Sequence, residues 1–478
     1  MKLKNIILSC LIMLPFVSEA KIDLPDIVGN DMVVQQQADA RLWGWATPGS
    51  KISIYGSWNP SHIVNTVADS NGKWQVELPT PKASFYTYKI NIKGDGSDIT
   101  LDNVAVGEVW FCSGQSNMEM PLRGFWTQPV EGAMEAIAYS GKYPYIRMAK
   151  VPKSKAYSPQ DKVESPWKVS NPENAYNFSA LGYFFARSLS EILNVPVGII
   201  DCSYGGSKLE GWQSREQISK YPEWDIDKEK ADTTLQDYER INIMYNSMLH
   251  PLIGYTIKGF LWNQGESNVG KESTYPFHKK DMVEDWRSKW GLGELPFYFV
   301  ELPGWDYGNP DNNNAAFFRE CQHKAAELVP NSGIVCTSDL VYPFEVNDIH
   351  ARKKKEIGER LAFMAAGKTY GVKGMPADYP TFKTMKVEGD KAILSFNNAW
   401  DGFTPNKELE GFEAAGADRV FHPAKAVENP KTLNIEVTCP EAGTIEAVRY
   451  NFKNFAVGKV HNIIGLPLVP FRTDNWDK

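Results

Sequence analysis

Cysteine and histidine are scarce in this chain: six and seven, respectively, in 478 residues. Cys10 lies in the first twenty residues, which leaves Cys112, Cys202, Cys321, Cys336 and Cys439. So odd and sparse a set excludes a disulfide framework. No HExxH string and no clustered Cys/His spacing occurs, so nothing signals a zinc site. After the N-terminus no apolar run approaches the roughly 20 residues of a membrane-spanning helix. There is no long Lys/Arg block, and the formal net charge of −7 repels a phosphate backbone, which excludes nucleic acid as a partner. Internal repeats of 20–50 residues and low-complexity linkers are also missing, so the parts of the chain are expected to pack together.

What is present begins with an export signal. Lys2 and Lys4 precede an apolar stretch over 6–17, followed by Ser18-Glu19-Ala20, and the pattern predicts a signal peptide over 1–20, cleaved before Lys21. Export with few cysteines suits a periplasmic or extracellular, bacterial protein. The length predicts more than one domain. Over 21–103, short runs such as Arg41-Leu42-Trp43-Gly44-Trp45 and Lys73-Trp74-Gln75-Val76-Glu77-Leu78 are broken by Pro48-Gly49 and Asn71-Gly72, which reads as a β-sandwich-like domain. Its many aromatics fit core filling better than a sugar platform.

From 104 to 371 the pattern becomes α/β. Apolar runs at 104–111, 197–200, 257–262, 297–302 and 334–337 read as buried strands. Segments with apolar residues at helical spacing, 179–193, 235–249, 279–290, 315–328 and 351–366, lie between or after them. Such alternation predicts a parallel sheet covered by helices on both faces, with its site at the carboxyl ends of the strands. Short strand-like runs return over 372–478, a β-rich region expected to pack on the 104–371 domain.

Four polar motifs follow four of these strands. Ser113-Gly114-Gln115-Ser116-Asn117-Met118 places Ser116 just past the first strand, where a tight turn exposes its hydroxyl as a nucleophile. A serine needs a base to take its proton. His350, in Asp348-Ile349-His350 ahead of the last helical segment, is the best placed of the seven histidines. Residues two apart in an extended loop point the same way, so Asp348 either holds the other ring nitrogen or caps the following helix. Attack on an ester leaves charge on the carbonyl oxygen, and pre-placed donors there are usually the largest catalytic contribution. Tyr204-Gly205-Gly206-Ser207 offers a backbone N–H, and Asn263-Gln264-Gly265-Glu266 offers a side-chain amide, from Asn263 or Gln264. Glu266 either orients a neighbouring donor or the histidine, or pairs with backbone in its own turn. The pattern is not the nucleophile elbow of α/β-hydrolases, which has glycine where Met118 stands.

Together the strings Val109-Trp110-Phe111-Cys112-Ser113-Gly114-Gln115-Ser116-Asn117-Met118-Glu119, Tyr204-Gly205-Gly206-Ser207, Phe260-Leu261-Trp262-Asn263-Gln264-Gly265-Glu266-Ser267-Asn268 and Asp348-Ile349-His350 carry a resemblance. Over nearly its whole mature length the chain resembles the sialate O-acetylesterases, a branch of the SGNH (GDSL-like) hydrolases. The resemblance implies a serine esterase that removes acetyl groups from an acetylated sugar or glycan with neither metal nor cofactor. It implies Ser116 as nucleophile, His350 as base, and the Ser116 N–H, the Gly206 N–H and Gln264 or Asn263 as the oxyanion hole. Broader SGNH enzymes space their Asp and His three apart, whereas Asp348 and His350 are two apart. A hemicellulose acetylesterase would use the same machinery, and a carbohydrate-binding protein is the non-enzymatic alternative. A sialate carboxylate calls for a cation, for which Arg123 is the candidate, and Trp212, Trp262 and Trp126 are candidates to line the sugar site against a role in packing.

Overall fold

The computed structural model describes residues 21–476, so the expected signal peptide over 1–20 lies outside the described residues. The centre is a sheet of seven strands, labelled in chain order: β1 (Ser97–Gly114), β2 (Ile146–Lys150), β3 (Trp167–Val169), β4 (Val197–Ser203), β5 (Gly259–Asn263), β6 (Phe297–Val300) and β7 (Ser332–Val335). Their order is β7-β6-β5-β1-β4-β2-β3, and every pair is parallel except the edge pair β2–β3.

The runs read as strands carry apolar residues toward both faces because both faces of this sheet are covered. Along β1, Val109 and Phe111 join one core, with Phe260, Phe297, Trp286 and Trp290, while Trp110 and Cys112 join the other, with Leu261, Tyr298, Phe185 and Leu361. Period-two alternation thus feeds two layers of helix. Helices α3 (Tyr275–Trp290) and α4 (Asn314–Leu328) cover the first face. Helices α2 (Ala180–Leu193) and α5 (Lys354–Lys368) cover the second. The parallel sheet with helices on both faces is therefore present as read from the sequence.

Two expected elements differ. The segment 235–249 does not form one helix: a 3₁₀ turn at Asp237–Glu239 is followed by Asn242 at φ 65° and a π-turn at Tyr245–Leu249. Asn242 leaves helical geometry and donates its side chain to the Gln213 carbonyl at 2.8 Å. The last helix begins at Lys354, not Ala351, because the Arg352 N–H and guanidinium turn back to Glu345 at 3.2 and 2.8 Å. Asp348 is therefore not its N-cap.

Strand β1 is longer than the apolar run that announces it. Residues 97–106 pair antiparallel with the strand Ser84–Gly94, and from Glu108 onward β1 pairs parallel with β4. One continuous strand thus links the N-terminal β region to the central sheet, and Ile22, Leu42, Ile54 and Ile92 share a core with Phe111 and Trp286. The chain's C-terminal part forms two four-stranded antiparallel sheets around its own core of Leu394, Val437, Val448 and Tyr450. The five cysteines from Cys112 onward are all buried, and no disulfide joins them. Among the described residues no helix is long and apolar enough to cross a membrane.

One buried group sits against the fold rather than for it. Lys279 on α3 is 1% exposed, and its ammonium, without a hydrogen-bond partner among the described residues, lies 3.7 Å above the Trp262 ring. Burial pushes its pKa well below the ordinary lysine range, so the unfolded chain holds this proton more tightly and folding is increasingly opposed as pH falls. Lys279→Met keeps the length and removes the charge. Thermal melts are expected to show a stability gain of about 1–3 kcal/mol, larger at pH 6 than at pH 9; a lower melting temperature at both pH values would sink this account.

Candidate active site

At the carboxyl end of β1 the chain passes directly over β5. Gly114 has φ 136°, and a Cβ there would stand 2.1 Å from the Asn263 carbonyl oxygen, so only glycine fits. The approach lets the Gln115 N–H donate to that oxygen at 2.9 Å. Ser116 then opens the short helix α1 (Ser116–Glu119). The Gln115 side-chain oxygen accepts from the N–H groups of Gly265 and Ser267 at 3.2 and 3.4 Å, and the Glu119 carboxylate accepts from the Gly205 N–H at 2.6 Å. The loops after β5 and β4 are thereby tied to the turn that bears Ser116.

Asn117 ties the histidine loop to the same turn. Its amide nitrogen donates to the Ile349 carbonyl at 3.1 Å and to Glu266, while its oxygen accepts from the Lys354 ammonium at 2.6 Å. The neighbours of Ser116 and His350 are thus hydrogen-bonded to each other. Burial raises the Glu266 carboxyl above its usual range and lowers Lys354 to about 8. Glu266 accordingly supports Asn117 and touches the base only through it. Sequence reasoning did not single out Asn117 or Lys354, although Asn117 stands inside the nucleophile motif.

His350 is partly buried, its ring meeting Phe125 edge-on with centroids 5.0 Å apart. Its Nδ1 lies 2.5 Å from the side-chain oxygen of Gln128, and its Nε2 is buried without a partner among the described residues. That pairing fits a neutral ring protonated on Nδ1, with Nε2 free to accept. Burial, helped by the positive Lys354, lowers the His350 pKa to about 4. Asp348 does not sit on the ring: its carboxylate faces Arg352 at 3.8 Å.

The candidate oxyanion donors separate clearly. The Gln264 amide nitrogen is 3.2 Å from the Ser207 carbonyl and 2.6 Å from the Asn268 side-chain oxygen, and its own oxygen accepts from the Tyr275 hydroxyl at 3.1 Å. Among the described residues, the Ser116 N–H, the Gly206 N–H and the Asn263 side-chain amide make no hydrogen bond. The first of these is an orphan of the helix start.

Two residues expected at the sugar site are elsewhere. Trp212 and Trp262 are 0% and 1% exposed and pack edge to face, centroids 6.2 Å apart, in the core beside Trp286. Trp262 near the end of β5 and Trp212 in the 3₁₀ turn Leu209–Trp212 after β4 resembled rim positions, but both rings turn inward against α3, so they cannot meet a sugar. Arg123 is exposed, its guanidinium on the Asn177 side-chain oxygen at 2.8 Å and the Gly124 carbonyl at 3.3 Å. Trp126, three residues on, is 91% exposed.

Known proteins share this arrangement of chain. A family model described as carbohydrate esterase, sialic acid-specific acetylesterase, matches residues 106–366. The sialate O-acetylesterases of Pongo abelii and Homo sapiens are each 26% identical, over 472 and 412 residues, covering 88% and 77% of this chain and 86% and 75% of those proteins. A crystal structure of a carbohydrate acetylesterase from Xanthomonas citri superposes with a TM-score of 0.85 at 31% identity, over 95% of this chain and all of that one. With a family match over more than half its length and a solved relative across nearly all of it, the chain belongs to the sialic acid-specific acetylesterase family of carbohydrate esterases and is a serine ester hydrolase.

Proposed function

We propose that this carbohydrate O-acetylesterase removes acetyl groups from sialic acids, with Ser116 as nucleophile and His350 as general base. The observation that carries the reading is the set of unused groups on the segments that are hydrogen-bonded to the Ser116 turn. Among the described residues the Ser116 N–H, the Gly206 N–H and the Asn263 amide are donors without a partner, and the Nε2 of His350 is an acceptor without one.

In this scheme the Ser116 hydroxyl gives its proton to Nε2 as Oγ bonds to the acetyl carbon. The three donors hold the charge that forms on the carbonyl oxygen. When the tetrahedral intermediate collapses, the bond from the acetyl carbon to the sugar oxygen breaks, and the imidazolium returns its proton to that oxygen. Water, deprotonated by His350, then attacks the acetyl-enzyme and releases acetate with Ser116 restored. For the amide donor we choose Asn263, since the Gln264 amide is committed to Ser207 and Asn268. Asp348, paired with Arg352, is left to shape the histidine loop.

Acetylated sialic acid is the first substrate on the strength of the family match and of an exposed arginine, Arg123, able to meet a carboxylate. The exposed Trp126 replaces Trp212 and Trp262 as the aromatic open to a sugar ring. Acetylated xylan is the competing substrate. On the same reading 104–371 is the catalytic unit and 21–103 and 372–478 are its flanking β regions. The charged and apolar pattern of 1–20 supports export to the periplasm or the cell exterior.

The direct test measures acetate release from acetylated sialic acid and acetylated xylan by wild type and Ser116→Ala, both shown to be folded. Wild type is expected to act on the sialate substrate and the variant to lose nearly all activity; equal release by both proteins would end the serine assignment. Asn263→Ala is expected to lower kcat by about 10²–10³-fold with little change in melting temperature. Gln264→Ala is expected to lower the melting temperature, because it strips partners from buried groups. The reverse pattern would return the oxyanion role to Gln264.

The base must be neutral to accept a proton, so kcat/KM is expected to hold down to mildly acid pH and to fall as pH drops through about 4. An acid limb at the ordinary histidine value, near 6.5, would show that His350 is not held in its buried, low-pKa state.

A further inference from the structure

We propose that Gln128 is the positioning residue of the general base, accepting the Nδ1 proton of His350 and fixing the tautomer whose Nε2 receives the serine proton. A neutral amide then performs the task that a carboxylate performs in the Ser-His-Asp template. The inference rests on the reading of His350 as the base and names what orients it.

Three observations carry it. The first is the contact itself: the Gln128 side-chain oxygen is the partner that Nδ1 has, at 2.5 Å, while the neighbouring carboxylate of Asp348 is turned to Arg352. The second is that the contact is held from both sides. Phe125 presses edge-on against the His350 ring, and Phe125 and Gln128 exchange both backbone hydrogen bonds, at 3.0 and 3.2 Å, in a tight hairpin with Thr127 at φ 63°. The third is that the hairpin is anchored. The Leu122 and Arg123 N–H groups donate to the Phe178 and Tyr176 carbonyls at 2.9 and 3.1 Å. Gly124, at φ 78°, lies where a Cβ would stand 2.5 Å from the Gln128 carbonyl, so this turn admits no side chain.

The charges around the ring make a neutral partner a consequential choice. Lys354 approaches from α5, Glu266 lies behind Asn117, and Asp348 and Arg352 pair within the ring's own loop. Glu131, just past the hairpin, is joined through its backbone N–H to the Arg352 carbonyl at 2.9 Å. The hairpin residues Phe125, Trp126, Thr127 and Gln128 bring no charge of their own. Nothing on Nδ1 therefore offsets the burial and the Lys354 charge that disfavour the imidazolium.

The test compares Gln128→Ala, Gln128→Glu, Asp348→Ala and Ser116→Ala with wild type in steady-state hydrolysis of p-nitrophenyl acetate across pH, with melting temperatures alongside. Gln128→Ala is expected to lower kcat by about 10²-fold, the cost of a misplaced catalytic group, with KM within about threefold of wild type. Gln128→Glu is expected to recover most of kcat at neutral pH and to move the acid limb upward by about one unit or more, since a carboxylate on Nδ1 favours the imidazolium. A merely structural glutamine would not move that limb. Asp348→Ala is expected to stay within about tenfold of wild type. The proposal is overturned if Gln128→Glu leaves the acid limb where wild type has it. It is equally overturned if Asp348→Ala loses as much activity as Ser116→Ala while Gln128→Ala keeps most of its kcat. Activity surviving in Ser116→Ala would instead remove the underlying serine reading, whatever the Gln128 variants do.

Discussion

One side-chain amide, that of Asn117, joins segments of chain that are far apart in sequence. It donates to Glu266 after β5 and to the Ile349 carbonyl in the histidine loop, and it accepts from Lys354 at the start of α5. Few side chains can do this. An aspartate has no hydrogens to donate, a leucine has neither donor nor acceptor, and a serine has one donor where two are used. Because Lys354 is buried, as are Asn117 itself and the Glu266 carboxyl, each must find a partner within the protein. The spacing of the proposed nucleophile and base is thus set by a hydrogen bond between their chain neighbours, Asn117 and Ile349. The two reacting side chains need not hold each other in place.

The same node shapes the electrostatics. Lys354 lies close enough to disfavour a positive charge on His350, and Glu266 on the far side of Asn117 balances Lys354. Burial pushes the acid up and the ammonium down, which brings their proton affinities closer together than they are in water. A charge pair buried at this point is weak evidence for stability, but it fixes register between α1, the β5 turn and α5. That is the role in which buried polar groups are best attested.

Much of this was legible in the sequence because burial on two faces leaves a plain signature. The apolar runs that became β4, β5, β6 and β7, and the glycine turns after β1 and β4, are written in residue type. The motif residues Ser116, Gly206, Asn263 and His350 stand at strand ends or in the loop before α5, where a parallel sheet collects its ligands. What was not legible depends on side-chain direction. Trp262 near the end of β5 and Trp212 in the 3₁₀ turn after β4 both turn into the core against α3, a choice made by neighbours distant in sequence. Asp348 lies two residues from His350 and still faces Arg352, because Arg352 is itself drawn back to Glu345. Gln128 is 222 residues from His350, in a stretch with no apolar period and no motif, so only the folded chain shows their contact. The false helix over 235–249 has a local cause: apolar spacing suggested a period that one asparagine in a left-handed conformation interrupts.

A histidine whose ring nitrogen meets an amide instead of a carboxylate gains nothing from ion pairing, and Lys354 takes stabilisation away. Its imidazolium, which the proposed scheme forms as Ser116 attacks, is therefore costly, and such a base is weak for a given geometry. What it gains is availability, since a ring with a pKa near 4 is unprotonated at neutral and mildly acid pH. A weak base shifts the work of stabilising the transition state to the other side of the reacting carbonyl. In the proposed scheme that side is served by three donors, the Ser116 and Gly206 N–H groups and the Asn263 amide, carried at the ends of β1, β4 and β5. Position of the base and strength of the oxyanion hole are thus coupled choices in this site. The hairpin that carries Gln128 also presents Trp126 to solvent, so a sugar resting on that ring would press on the same arm that holds the base.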